Sequence, residues 1–217
     1  MTFPVDPRLA AAYILVSLTL TLTPGPDTLF VIATGMRHRA RGAVASALGI
    51  GTGSVMHGLT AALGLSALVA TSAFAFAVIK AIGAAYLGWL GLKALHAALR
   101  PRPEVDGGGP EAPASLATIF RRGLVNNLTN PKVPLFYVAI LPQFVDSGRG
   151  HIGLQLFLLS LLGTIVAVPY LVGVGVLSGR MRDRLTGAAF GRWLDGVAGT
   201  VFVGLALRLA VTGRPER

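Results

Sequence analysis

Leu22-Thr23-Pro24-Gly25-Pro26-Asp27-Thr28-Leu29-Phe30-Val31 and Leu128-Thr129-Asn130-Pro131-Lys132-Val133-Pro134-Leu135-Phe136-Tyr137 follow one pattern. At a constant offset of 106, Leu22, Thr23, Leu29 and Phe30 meet Leu128, Thr129, Leu135 and Phe136, and each segment has two prolines near its centre. Both lie inside long apolar runs. Proline removes a backbone N–H and clashes with the carbonyl one turn earlier, so each pair is expected to interrupt a helix. A second echo sets Gly83 and Gly88 against Gly199 and Gly204 at an offset of 116, as a longer loop before the last apolar run requires.

Outward from these segments, the chain has 217 residues, 53% of them hydrophobic and 13% charged, with a mean hydropathy of +0.68. Soluble domains carry about 25% charged residues. Apolar runs of about 20 residues recur, the length needed to span about 30 Å of hydrocarbon. Six spans are expected, at roughly 9–35, 43–71, 73–98, 120–145, 151–178 and 192–212. They leave no room for a soluble domain, and the first run is too long for a removable signal. The Pro-, Gly- and charge-rich stretch from Arg100 to Ser115 reads as a loop. The expected organisation is a single transmembrane transporter domain over 1–217, with half one at 1–99, a loop at 100–118 and half two at 119–217. Three spans per half is an odd number, so the second half enters the membrane upside down. The fold expected is an all-α integral membrane protein: six transmembrane helices as two inverted three-helix repeats, with helices 1 and 4 broken by proline. Matching breaks in inverted halves are a pointer to a transporter's central binding site.

The net charge is +10, and the basic residues lie between spans. Arg37, Arg39, Arg41, Arg100, Arg102, Arg121, Arg122, Arg180, Arg182, Arg184 and Arg192 fall on one side; Arg8, Arg149, Arg208, Arg214 and Arg217 fall on the other. The positive-inside rule assigns the first side to the cytoplasm and both termini to the outside. No recognition module or aromatic–basic interleaving supports nucleic-acid binding. The absence of Cys excludes disulfides and thiolate metal sites. His38, His57, His96 and His151 have no metal-ligand spacing, and no phosphate-binding glycine loop is present. Neither an enzyme nor a cofactor or metal is expected.

Breaking a helix in hydrocarbon frees carbonyls before the break and N–H groups after it, and these must face protein or water. Freed N–H groups attract a carboxylate and freed carbonyls an ammonium group, and an amino acid offers both. Pro24, Gly25, Pro26 and Pro131 are therefore expected to line the site; the plainer account is a pair of packing kinks. Asp27 lies about 15 Å of helix rise from Arg37, and Lys132 about 16 Å from Arg121. That places both near the bilayer midplane, where charge is costly and usually functional. Asp27 is the candidate for carrying a coupling proton or holding a substrate ammonium; otherwise it complements a helix start. Lys132 is the candidate partner of Asp27 or of a substrate carboxylate; otherwise it snorkels to an interface. Asn126, Asn127 and Asn130 either join the site or satisfy freed backbone groups. Interfacial placement accounts for Lys80 and Asp195, and a bundle hydrogen bond for His57. Gly49, Gly53 and Gly58 allow close helix approach.

The chain resembles the lysine exporter family in its homoserine–threonine resistance branch of amino-acid exporters. The resemblance rests on Thr23-Pro24-Gly25-Pro26-Asp27, on Gly42, Gly49, Gly53 and Gly64, on Asn130-Pro131-Lys132, and on Phe136 with Leu141-Pro142-Gln143-Phe144. It covers nearly the whole chain. It implies a multi-pass exporter of amino acids in the bacterial inner membrane, driven by protons, with the family's central aspartate at Asp27. The expected function is export of amino acids or similar small zwitterions by alternating access, with the substrate, the proton and the lipid bilayer as partners. Small-residue helix faces are compatible with a homodimer. An exporter of a metal ion or other solute would want converging His, Cys or carboxylates. A membrane-embedded enzyme would need a nucleophile–base pair or metal site, and an accessory subunit has no use for paired breaks.

Overall fold

The computed structural model describes residues 4–71, 73–99 and 114–180, and in the last stretch residues 196, 199, 200, 203, 204, 206 and 207. Among the described residues every regular element is helical: α1 (Pro7–Leu22), α2 (Pro26–Thr71), α3 (Ala73–Ala98), α4 (Leu116–Thr129), α5 (Lys132–Ile140) and α6 (Ile152–Arg180), with 3-10 turns at Leu141–Phe144 and Ser147–Arg149 between α5 and α6.

Local chemistry sets the helix ends. Asp6 caps α1, its side chain accepting from the N–H groups of Arg8 and Leu9, and Pro7 occupies the first turn, where a missing N–H costs nothing. Thr23, just ahead of Pro24, is extended at φ −70° and ψ 113°, as residues before proline tend to be. Asn130 ahead of Pro131 is likewise extended, at φ −77° and ψ 109°. Pro26 opens α2 with Asp27 in its first turn. α1 and α2 are bent relative to each other by 59°.

Two boundaries differ from the sequence expectation. α4 opens at Leu116, ahead of the expected 120 and inside the expected loop 100–118, because Ser115 caps it and accepts from the N–H of Thr118. The expected loop between 35 and 43 is a reversal at the single residue Arg39 (φ 55°, ψ −155°). The two arms of α2 lie side by side: a side chain at Gly175 would meet both Val31 and Ala43, which stand about 18 Å apart along a straight helix.

α6 is the central element. It runs alongside α1 and the first arm of α2, with Gly163 beside Tyr13 and Ser17 and Gly175 beside Gly35. It runs antiparallel to the second arm, where Gly58 faces Ser160 and Gly51 faces Val168. Gly179 sits by Gly35 and Arg39, so Arg180 and Arg39 gather at one end of the molecule. α4 follows the second arm, with Gly123 on Ser46, Gly49 on Phe120 and Gly53 on Asn127. The glycines at 49, 53 and 58 are thus points of close approach, since a Cβ at each would overlap its neighbour. Of the expected sixth span, the described residues lie beside α3, Gly199 against Gly91 and Leu95. Residues 100–113 and 181–195, including Asp195, fall outside the described residues.

The helix α6 is long and apolar enough to cross a membrane alone, and Pro7–Leu22 with Pro26–Gly64 passes the same test as a bent pair. The outer surface carries Leu15, Leu63, Phe74 and Leu92 exposed, and hydroxyls such as Thr19, Thr52 and Thr60 donate to the carbonyl one turn back. Both features suit a hydrocarbon surrounding, where polar groups must be satisfied within the chain.

Candidate functional site

The two interruptions, 23–25 and 130–131, meet in the interior. After the first, Asp27 accepts from Asn126 Nδ2 on one oxygen at 2.7 Å and from Asn127 Nδ2 on the other at 2.8 Å. After the second, Lys132 Nζ donates to the carbonyls of Leu20 and Thr23 at 3.0 and 2.8 Å. The arrangement is crosswise. The charge that follows each interruption binds the helix end that precedes the other. The carbonyls of α1 carry the negative end of its dipole, which favours a cation there. Gly25 adjoins the ammonium group: a Cβ there would lie 3.5 Å from Lys132 Nζ, in ordinary van der Waals contact. Lys132 also acts electrostatically on Asp27.

A cavity of about 70 Å³ opens between these groups. Its lining includes the polar Thr23, Asp27, Asn130 and Lys132 and the apolar Ile50, Val133, Phe136 and Leu171. Thr164, also on the wall, stands about 18 Å of helix rise from Ile152 and about 24 Å from Arg180, so the cavity lies near the middle of α6. On the Asp6 side aromatic rings pack together, with Tyr13 edge-on to Phe144 at 5.5 Å and tilted on Phe136 at 6.4 Å.

The chain matches the model for LysE type translocator over residues 18–213. It belongs to that family. A leucine efflux protein of Enterobacter sp. (strain 638) is 34% identical over 200 residues, covering 91% of this chain and 93% of that protein. The leucine efflux protein of Klebsiella pneumoniae is also 34% identical, over 91% of this chain and 92% of its own. An uncharacterized membrane protein of Vibrio cholerae is 31% identical over 92% of this chain and 95% of its own. No solved structure matches the chain. This LysE-type translocator is a membrane protein and a transporter.

Of the residues singled out in the sequence, Asp27, Asn130, Lys132 and Gly25 line the cavity. Asn127 does not: it is fully buried behind Asp27 and touches it from outside the cavity. Pro24, Pro26 and Pro131 do not line it either. Pro26 and Pro131 are exposed, because a proline at a helix start turns its ring outward while the bare Cα of Gly25 faces in. Asn130 accepts from the N–H of Lys132 at 3.1 Å and so closes the second interruption. His57 Nε2 lies 3.4 Å from the carbonyl oxygen of Asn127. Among the described residues no three His, Asp or Glu side chains converge as a metal site.

Sequence reasoning passed over Ser17, Thr21, Thr28, Ser54, Tyr137 and Thr164, which supply hydroxyls to the cavity wall. Their only sequence signal is polarity inside apolar runs, which many packing hydroxyls share. Gly53 was legible as a close approach, but that its partner is the side chain holding Asp27 was not.

Proposed function

We propose that this translocator exports a leucine-like amino acid across the bacterial inner membrane, coupled to protons, with the Asp27–Lys132 cavity as its binding site. The observation that carries the reading is the crosswise contact of the two interruptions around a cavity lined by both charged and apolar side chains. A zwitterion with an aliphatic side chain carries the same two kinds of group. The names of the relatives in Enterobacter and Klebsiella agree with that substrate class.

In this reading the prolines break spans 1 and 4, the two halves are inverted repeats, and they rock about the cavity in alternating access. Span 1 and span 4 run in opposite directions beside α6 and the second arm of α2, which supports the inversion. Asp27 is the proton carrier that resets the empty site. The Arg39–Arg180 end is cytoplasmic and the Asp6 end outside, as the distribution of arginines argues.

The test is efflux from bacterial cells loaded with dipeptides, comparing wild type, Asp27→Asn and empty vector. Faster appearance of leucine or a few neutral amino acids in the wild type alone supports the reading. Vector-level efflux of every amino acid, with membrane insertion verified, overturns it.

A further inference from the structure

Among the described residues the cavity is lined by one anion, Asp27, and one cation, Lys132, and each is already bound by protein. Both oxygens of Asp27 accept from amide N–H groups, the arrangement that suits an ionised, acceptor-only carboxylate. The ammonium group of Lys132 sits on the two carbonyls at the end of α1, the position that a freed helix end offers to any ammonium group. The resting pair therefore sums to zero charge.

We propose that this site selects zwitterions by charge balance, with Lys132 as the specificity-determining residue: its ammonium group holds the Leu20 and Thr23 carbonyls until a substrate ammonium takes them, and then turns to the substrate carboxylate. The inference rests on the amino-acid reading above and adds to it a reason for the substrate class. A zwitterion brings both charges, so after the exchange every charge has an opposite one. A lone amine displaces Lys132 and leaves two cations against Asp27. A lone carboxylate adds a second anion and leaves two anions against Lys132. In a low-dielectric interior an unpaired charge is strongly disfavoured.

The same balance predicts how the preference changes. Lys132→Met leaves Asp27 alone, so a primary amine restores neutrality. Asp27→Asn leaves Lys132 alone, so a carboxylate does so.

The experiment measures binding to the purified full chain in detergent, by thermal stabilisation and by competition with labelled leucine. The three probes are leucine, 3-methylbutan-1-amine and 4-methylpentanoate, which share the aliphatic group and differ in charge. In the wild type leucine should bind at least about tenfold more tightly than either single-charge probe. Lys132→Met should bind the amine at least about tenfold more tightly than the wild type does, and Asp27→Asn should do the same for the carboxylate. If the amine competes with leucine equally well in the wild type, or if both variants keep the wild-type order, charge balance is overturned. Should Lys132→Met not fold, the wild-type panel and Asp27→Asn still decide. A wild type that exports leucine from cells but fails this panel loses only the inference; one that neither exports nor binds leucine loses the amino-acid reading as well.

Discussion

Lys132 Nζ donates to the carbonyl oxygen of Thr23 at 2.8 Å, so the first residue of α5 closes the last turn of α1. Two residues more than a hundred positions apart in the chain thereby satisfy each other at the centre of the bundle. Charge-assisted hydrogen bonds contribute about 1.5–3 kcal/mol each where they are shielded from water. Lys132→Met removes two donors and leaves the Leu20 and Thr23 carbonyls to water in the cavity. Its detergent melting temperature should fall and leucine efflux should drop to near vector level. Unchanged stability and efflux would show that the contact with α1 is dispensable.

Gly53 sits against the amide that holds Asp27. A Cβ at this position would lie 2.6 Å from Asn127 Oδ1, and Asn127 is fully buried, so it has no room to retreat. Gly53→Ala should cost about 1–3 kcal/mol of stability and reduce transport by loosening Asn127 from Asp27. Gly64→Ala is the control, because nothing lies within 4 Å of a Cβ there. It should be neutral or stabilising by a few tenths of a kcal/mol, since alanine is the better helix former. Equal effects of the two substitutions on melting temperature and efflux would rule out the contact as the cause.

Arg39 carries the reversal in α2 at φ 55° and ψ −155°, a conformation that L side chains rarely adopt and glycine takes freely. Arg39→Gly should therefore raise the melting temperature, by an amount corresponding to about 1 kcal/mol, whereas Arg39→Val should lower it. A fall with glycine as large as with valine would mean that the arginine side chain, and not the backbone, governs the turn.

Asp6 ties the start of α1 to the turn before α6. Its carboxylate is held below its ordinary value of 3.8, mainly by the N–H of Arg8, with the N–H of Leu9 and Arg149 assisting against a partial desolvation. Arg149 reaches Asp6 at 2.9 Å and Asp146 at 3.1 Å. A depressed folded-state value stabilises the fold at pH above the unfolded value, and the contribution is lost as pH falls through the folded one. Asp6→Asn keeps a capping side chain and removes the charge. The wild type should melt above this variant at pH of about 5 and higher, and the gap should close below about pH 4. A gap that persists unchanged in acid would assign the effect to something other than the Asp6 charge.

Much of the helical layout was legible in the chain itself. The apolar runs indicated where helices lie, and the paired prolines read as interruptions of the first and fourth of them. Asp27 and Lys132 were legible as candidates because each lies about 15 or 16 Å of helix rise from the arginines at one end of its run, a depth where charge is rare without a purpose. The start of α4 was missed by a few residues because the cap at Ser115 is a local hydrogen bond, whereas the expected boundary followed hydropathy.

Periodicity, proline position and charge are properties of neighbouring residues, so the sequence alone determined an all-helical membrane chain with two interrupted segments and one charge beyond each. Contacts between segments are not local, and only the tertiary structure decided them. It placed Lys132 on the carbonyls of Leu20 and Thr23 rather than at an interface, set Asn126 and Asn127 on Asp27, and withdrew Asn127 from the cavity wall. It also brought Gly53 against Asn127 and gathered scattered hydroxyls around one space. The physical reason is that a freed carbonyl or a buried carboxylate fixes what kind of partner it needs, while the packing of the helices fixes which residue can reach it.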